Sequence, residues 1–113
     1  MKIEKFNIYS ADLNSKFGTE PGKKIPVVVI QTNLMNNEHK STIICPITTK
    51  VIKNSEILRV NLNEKINGLK KNSDIIIYQI RAKDNKRFIE FIGKLYKKQK
   101  VKLLDNLKII ILE

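Results

Sequence analysis

The run Val27-Val28-Val29-Ile30 constrains this chain more than any other stretch. An unbroken β-branched run of this length reads as a strand buried on both faces, or as the core of a strongly bent sheet. Such a strand needs neighbours, and the sequence supplies them. Phe6, Ile8 and Ser10 alternate with Asn7, Tyr9 and Ala11, which predicts a first strand over 5–11. Thr42 to Ile47 is a third, and Pro46 lacks a backbone donor, so an edge or bulge is expected there. Residues 57–62, 74–81 and 87–92 read as three more, with a turn at Asn67-Gly68 and an end at Gly93. A long loop with two Gly and one Pro fills 14–24, and a polar one fills 32–40. The tail changes period. Val101, Leu104, Leu107 (or Lys108) and Ile111 recur at helical spacing, predicting a helix over 97–111 with a Lys-rich opposite face. The expected architecture is mostly β: one domain over residues 1–113, a small curved antiparallel sheet or barrel closed by a C-terminal helix.

Charge narrows the partners. The chain has 113 residues, with 22 Lys and Arg against 11 Asp and Glu, for a net charge of +11. A basic domain of this kind is expected to meet polyanions, either nucleic acid or an acidic protein. Its small size also favours pairing with a second copy. The longest apolar run, Ile109 to Leu112, is far below the ~20 residues of a membrane span. The charged N-terminus lacks the apolar stretch of a signal peptide, so a reducing cytoplasm is expected. One cysteine, Cys45, excludes an intramolecular disulfide and reads as a small core hydrophobe; one histidine, His39, lies in a polar loop. Together they make no usual zinc site, and neither a catalytic triad spacing nor a Gly-rich phosphate loop is present. No metal and no cofactor are expected.

Four segments, in order, carry a resemblance. They are Tyr9-Ser10-Ala11-Asp12-Leu13-Asn14, then Gly18-Thr19-Glu20-Pro21-Gly22-Lys23-Lys24-Ile25-Pro26-Val27-Val28-Val29-Ile30-Gln31, then Ile44-Cys45-Pro46-Ile47-Thr48, then Gln79-Ile80-Arg81-Ala82-Lys83-Asp84. Gly68-Leu69-Lys70-Lys71-Asn72-Ser73 precedes the last at the expected distance. This series resembles the MazF/PemK (Kid-like) toxins, from about residue 6 to 111. The resemblance implies an SH3-like curved sheet with a C-terminal helix, as in the related CcdB architecture. It also implies a homodimer and a metal-independent endoribonuclease that cuts single-stranded RNA at short motifs. An acidic antitoxin of the MazE kind would be encoded nearby.

Metal-free RNA cleavage uses the substrate's 2′-hydroxyl as nucleophile. A base must take its proton, the phosphorane charge must be stabilised, and the leaving 5′-oxygen must be protonated. The resemblance assigns the stabilising role to an Arg before the Pro of the second block and to a Thr ending the third. Here the Thr is present as Thr48, but the Arg position is Ile25. The Kid branch's Arg and Asp positions read Ile76 and Tyr78. Neither set is complete. Lys23 or Lys24 can bring a cation into the vacant place, though without the bidentate fork of Arg. Alternatively, the chain binds RNA or antitoxin without cutting.

The remaining candidates for RNA contact are Thr19, Glu20, Gln79 and Arg81. Arg81 has a competing structural role, an ion pair with Asp84. Phe17 and Tyr78 are candidates to stack on bases. Lys94, Lys97, Lys98, Lys100 and Lys102 form the densest charge: a solvated helix face, an RNA funnel, or a dock for an acidic tail. A gyrase poison of the CcdB type is disfavoured, because such toxins use a Trp near the C-terminus and this chain has none.

Overall fold

In the computed structural model, which describes residues 1–13 and 24–113, the apolar runs form one antiparallel sheet. Its strands are β1 (Asn7–Asp12), β2 (Lys24–Val29), β3 (Ser41–Thr48), β4 (Arg59–Leu62), β5 (Ser73–Ile76), β6 (Arg81–Asp84) and β7 (Phe88–Lys94). Helix α1 (Glu64–Asn67) precedes β5, and α2 (Lys97–Leu112) follows β7. The hydrogen-bonded order is β4-β5-β3-β2-β1-β7, with β6 also on β3. Among the described residues the outer strands β4 and β7 do not pair, so the sheet is open. That settles the expected choice between sheet and barrel in favour of the sheet.

The Val27-Val28-Val29 run is buried on both faces, as its composition predicts. Val28 packs with Ile8, Cys45 and Ile47 against Leu103 and Leu107 of α2. Val27 and Val29 point the other way, into a cluster with Ile3, Tyr9, Ile44 and Phe88. Tyr9 sits in that second cluster with its hydroxyl satisfied. It donates to the Lys2 carbonyl at 2.9 Å and accepts from the Glu4 N–H at 2.9 Å. Cys45 is fully buried, with its thiol aimed at the Ile77 carbonyl at 3.8 Å. Burial pushes that thiol up from 9.0 to about 12. The unfolded thiol ionises first, so Cys45 contributes stability that is complete below pH ~9 and is lost as pH climbs toward 12. Alkylation of Cys45 at pH 8 is therefore expected only on unfolding, which a denaturant-dependent labelling series checks.

The strand expected at 74–81 is broken, for a reason that Pro46 foreshadows. Ile47 pairs with Ile75 and Ile44 with Arg81, so Cys45 and Pro46 face the five residues Ile76 to Ile80. The surplus forms a 3₁₀ turn, Ile77–Gln79. The Ile43 carbonyl accepts from Ile30 on the β2 side, so even-numbered residues of β3 direct their backbone groups toward β5 and β6. Pro46 is one of these and has no N–H to offer, and the ladder jogs there.

Two further expectations are corrected. The helix buries Leu103, Asn106 and Leu107, while Val101, Leu104 and Ile111 are exposed. Gln99 and Asn106 hold this rotation: the Gln99 amide exchanges hydrogen bonds with buried Asn67 at 2.8 and 3.0 Å, and Asn106 donates to the Glu56 carbonyl at 2.7 Å. Residues 103, 106, 107 and 110 then follow inward at helical spacing. Gly93, expected to end the last strand, lies inside β7 because the chain after α1 crosses it closely. A Cβ at Gly93 would stand 2.0 Å from the Asn67 carbonyl oxygen, and Gly68 closes α1 with φ +78°. Gly93→Ala must push two backbone segments apart. It is expected to cost about 3 kcal/mol, seen as a fall of more than ~10 °C in melting temperature.

Candidate active site

Thr48 ends β3, where three elements converge. Val27 pairs with Pro46, the last pair of the β2–β3 ladder, two residues before Thr48 on one strand and two after Ile25 on the other. On its other side Thr48 pairs with Asp74 of β5. The Thr48 hydroxyl oxygen accepts the Lys50 N–H at 3.1 Å, leaving its hydrogen to donate elsewhere. Below it, the buried Asp74 carboxylate accepts from the Ile52 N–H at 3.0 Å, the Asn61 amide at 3.0 Å and Arg59 Nη1 at 3.3 Å. Arg59 also donates to the Lys50 carbonyl at 2.8 Å. One carboxylate thus holds the chain that follows Thr48 and strand β4 together.

An open cavity of about 620 Å³ lies next to this junction. Lys24, Ile25 and Pro26 of β2 form one wall, and Thr49 another. Gly68 to Lys71 and Glu90 to Ile92 complete it, with Ser10 also on the surface. Ile25 is half-buried against the Tyr9 cluster and brings no charge to the site. Lys24, expected in the long loop, is instead the first residue of β2, opposite Asp12. It is exposed and reaches the cavity. Thr19, Glu20, Lys23 and Phe17 lie outside the described residues.

Gln79 and Arg81 stand apart. Arg81 pairs with Ile44, four residues up β3 from Thr48, or about 13 Å along the strand. Both side chains are exposed, as is Tyr78 in the 3₁₀ turn. The Arg81–Asp84 ion pair does not form among the described residues. The Asp84 carboxylate instead caps the Asn85–Arg87 turn, accepting the Lys86 N–H at 2.8 Å. Part of the α2 charge is also engaged: Lys102 pairs with Glu56 at 2.7 Å, and Lys100 lies 5.4 Å from the Phe6 ring centre. His39 is exposed. Sequence reasoning did not pick out Thr49, Asp74 or Arg59, which carry no motif, and Ser10 was in view only as a member of the first block. Lys70 and Lys71 were in view only as spacers before the fourth block.

A short open sheet with a terminal helix, and a lysine-walled cavity at the end of its third strand, define a compact basic scaffold. The chain belongs to the PemK-like, MazF-like toxins of type II toxin–antitoxin systems, whose family model matches residues 4–111. It is 32% identical over 95 residues to Endoribonuclease EndoA of Bacillus subtilis (strain 168), covering 84% of this chain and 82% of that one. Its fold is similar to the Mycobacterium tuberculosis toxin MazF-mt6, with a TM-score of 0.77, 20% identity and coverage of 92% and 94%. It is also similar to a chain of the MazE-MazF crystal structure from Deinococcus radiodurans (Form-III), with a TM-score of 0.81, 14% identity and coverage of 98% and 97%.

Proposed function

We propose that this chain, as one domain over residues 1–113, is an RNA-cleaving toxin that works as a homodimer in the cytoplasm. It cuts single-stranded RNA by attack of the 2′-hydroxyl, without a metal. Its products are a 2′,3′-cyclic phosphate and a 5′-hydroxyl end. An acidic antitoxin restrains it by covering the same basic surface. The observation that carries this reading is a cavity walled by Lys24, Ile25 and Thr49, the residue after Thr48, within a family match spanning residues 4–111. Thr48 donates to a phosphate oxygen. Lys24, with its sequence neighbour Lys23, supplies positive charge where the family Arg is replaced by Ile25. Thr19, Glu20, Gln79 and Arg81 contact flanking nucleotides.

The test is purified protein on a long single-stranded RNA, with and without EDTA. Expected are defined fragments with 5′-hydroxyl ends and an unchanged rate in EDTA. Thr48→Ala is expected to slow cleavage about 10²-fold, the cost of losing one donor to a developing oxyanion. Ile25 favours a second reading, a non-cleaving module that holds RNA or antitoxin. Binding without fragments from any variant, Ile25→Arg included, would establish that reading instead.

A further inference from the structure

The lysines at 70 and 71 sit on a turn that is unusually well anchored for a surface loop. Asn67, fully buried, donates to the Lys94 carbonyl at 2.9 Å and is locked to Gln99 of α2. Gly68 lies tight against the backbone of β7, and Leu69 is buried in the core shared with α2. On the far side, Ser73 Oγ donates to the Lys71 carbonyl at 2.8 Å. Both lysines are exposed, and both line the cavity that Ile25 and Lys24 wall from β2. Two more observations point to an anionic ligand there. Ser10 lines the same cavity, is 8% exposed, and its hydroxyl has no hydrogen-bond partner among the described residues. Among the described residues Glu90 is the single acidic side chain on the walls, against Lys24, Lys70 and Lys71, so the wall charge is net positive.

We propose that Lys70 and Lys71 bind the RNA phosphates at this cavity and supply, from the opposite wall, the charge that Ile25 cannot. The inference rests on the RNA-cleaving reading above. A solvated lysine loses much side-chain entropy when it grips a phosphate. The anchored backbone of this turn removes the further cost of ordering a loop. Ser10 offers a buried hydroxyl to the same anion. The site thus takes a single-stranded polynucleotide phosphate, read for its charge and not for its base.

Binding is measured with a mixed-sequence, fully 2′-O-methylated RNA, which cannot be cut because the nucleophile is blocked. Lys70→Ala with Lys71→Ala is expected to weaken binding at least tenfold at low salt. The slope of log K against log[salt] is expected to fall by about 1.4, near 0.7 for each lost phosphate contact on a single strand. Lys70→Arg with Lys71→Arg keeps both affinity and slope. Lys2→Ala with Lys40→Ala removes equal charge away from the cavity and stays within about twofold of the unmodified chain. Thermal melting confirms that each variant is folded. An unmodified chain that cuts and binds RNA, beside a Lys70/Lys71 variant with the same slope and kcat/KM, would overturn this inference alone. An equal loss in the Lys2/Lys40 variant would overturn it too, by reducing the effect to net charge. Failure of the unmodified chain to bind or cut any RNA would remove the reading beneath it.

Discussion

Replacing Ile25 with Arg is expected to raise kcat/KM for RNA cleavage by about 10²–10³-fold. The expectation follows from what position 25 touches. It lies on the strand next to the one that Thr48 ends and lines the cavity beside Lys24, so a guanidinium there has an open volume of about 620 Å³ to enter. A planar fork placed against a phosphate can bond two oxygens at once, whereas a lysine offers a point charge. A single well-placed stabiliser of a developing oxyanion is worth about 3–4 kcal/mol, which is the range quoted in rate. The cost in stability is modest. Ile25 is half-buried against the Tyr9 cluster, and the methylenes of Arg can cover most of the same surface. A loss of about 1 kcal/mol is expected. If Lys70 and Lys71 already supply part of the charge, the gain is larger when Ile25→Arg is made together with Lys70→Ala and Lys71→Ala. Single-turnover cleavage in EDTA measures both. An unchanged rate in Ile25→Arg would mean that position 25 is not near the reacting phosphate.

How much of this was legible in the sequence depended on whether local pattern or tertiary register decided the outcome. The double-faced burial of Val27 to Val29 was local: four apolar β-branched residues leave no polar face. The jog at Ile77–Gln79 was not, since Ile75 to Ile80 reads as one strand until Pro46 is set opposite it. The helix carries two apolar stripes that share Leu107, and periodicity alone favours the one whose other apolar members, Val101, Leu104 and Ile111, are exposed. Long-range contacts select the other: Asn67 with Gln99, 32 residues apart in the chain, and Glu56 with Asn106, 50 apart. Thr48 and Ile25 were visible as motif positions. Lys70, Lys71 and Ser10 lay inside the matching segments without a role, because what brings them together is a cavity between strands far apart in sequence. Asp74 was hidden for the same reason, as an ordinary acid at the start of an apolar run.

Asp74 is where the largest loss of stability is expected. Asp74→Ala should cost about 3–5 kcal/mol, because it strips one buried partner from a charge pair and orphans several donors together. Arg59 is nearly as enclosed, with its side chain 10% exposed against 2% for Asp74. The Ile52 N–H and the Asn61 amide lose their acceptor in the same step. Arg59→Ala is milder, since Asp74 keeps those two donors. The double variant should fall short of the sum by about 0.5–3 kcal/mol, the signature of a shared pair. Chemical denaturation of all three variants reads these values. The consequence for function is directional. Asp74 is the strand neighbour of Thr48 and holds the turn that runs through Lys50 and Ile52, so its loss frees the end of β3. Cleavage by Asp74→Ala should therefore drop at a temperature where the variant is still fully folded, with Arg59→Ala intermediate. Undiminished activity in a folded Asp74→Ala protein would show that this junction holds β4 in place without setting the position of Thr48.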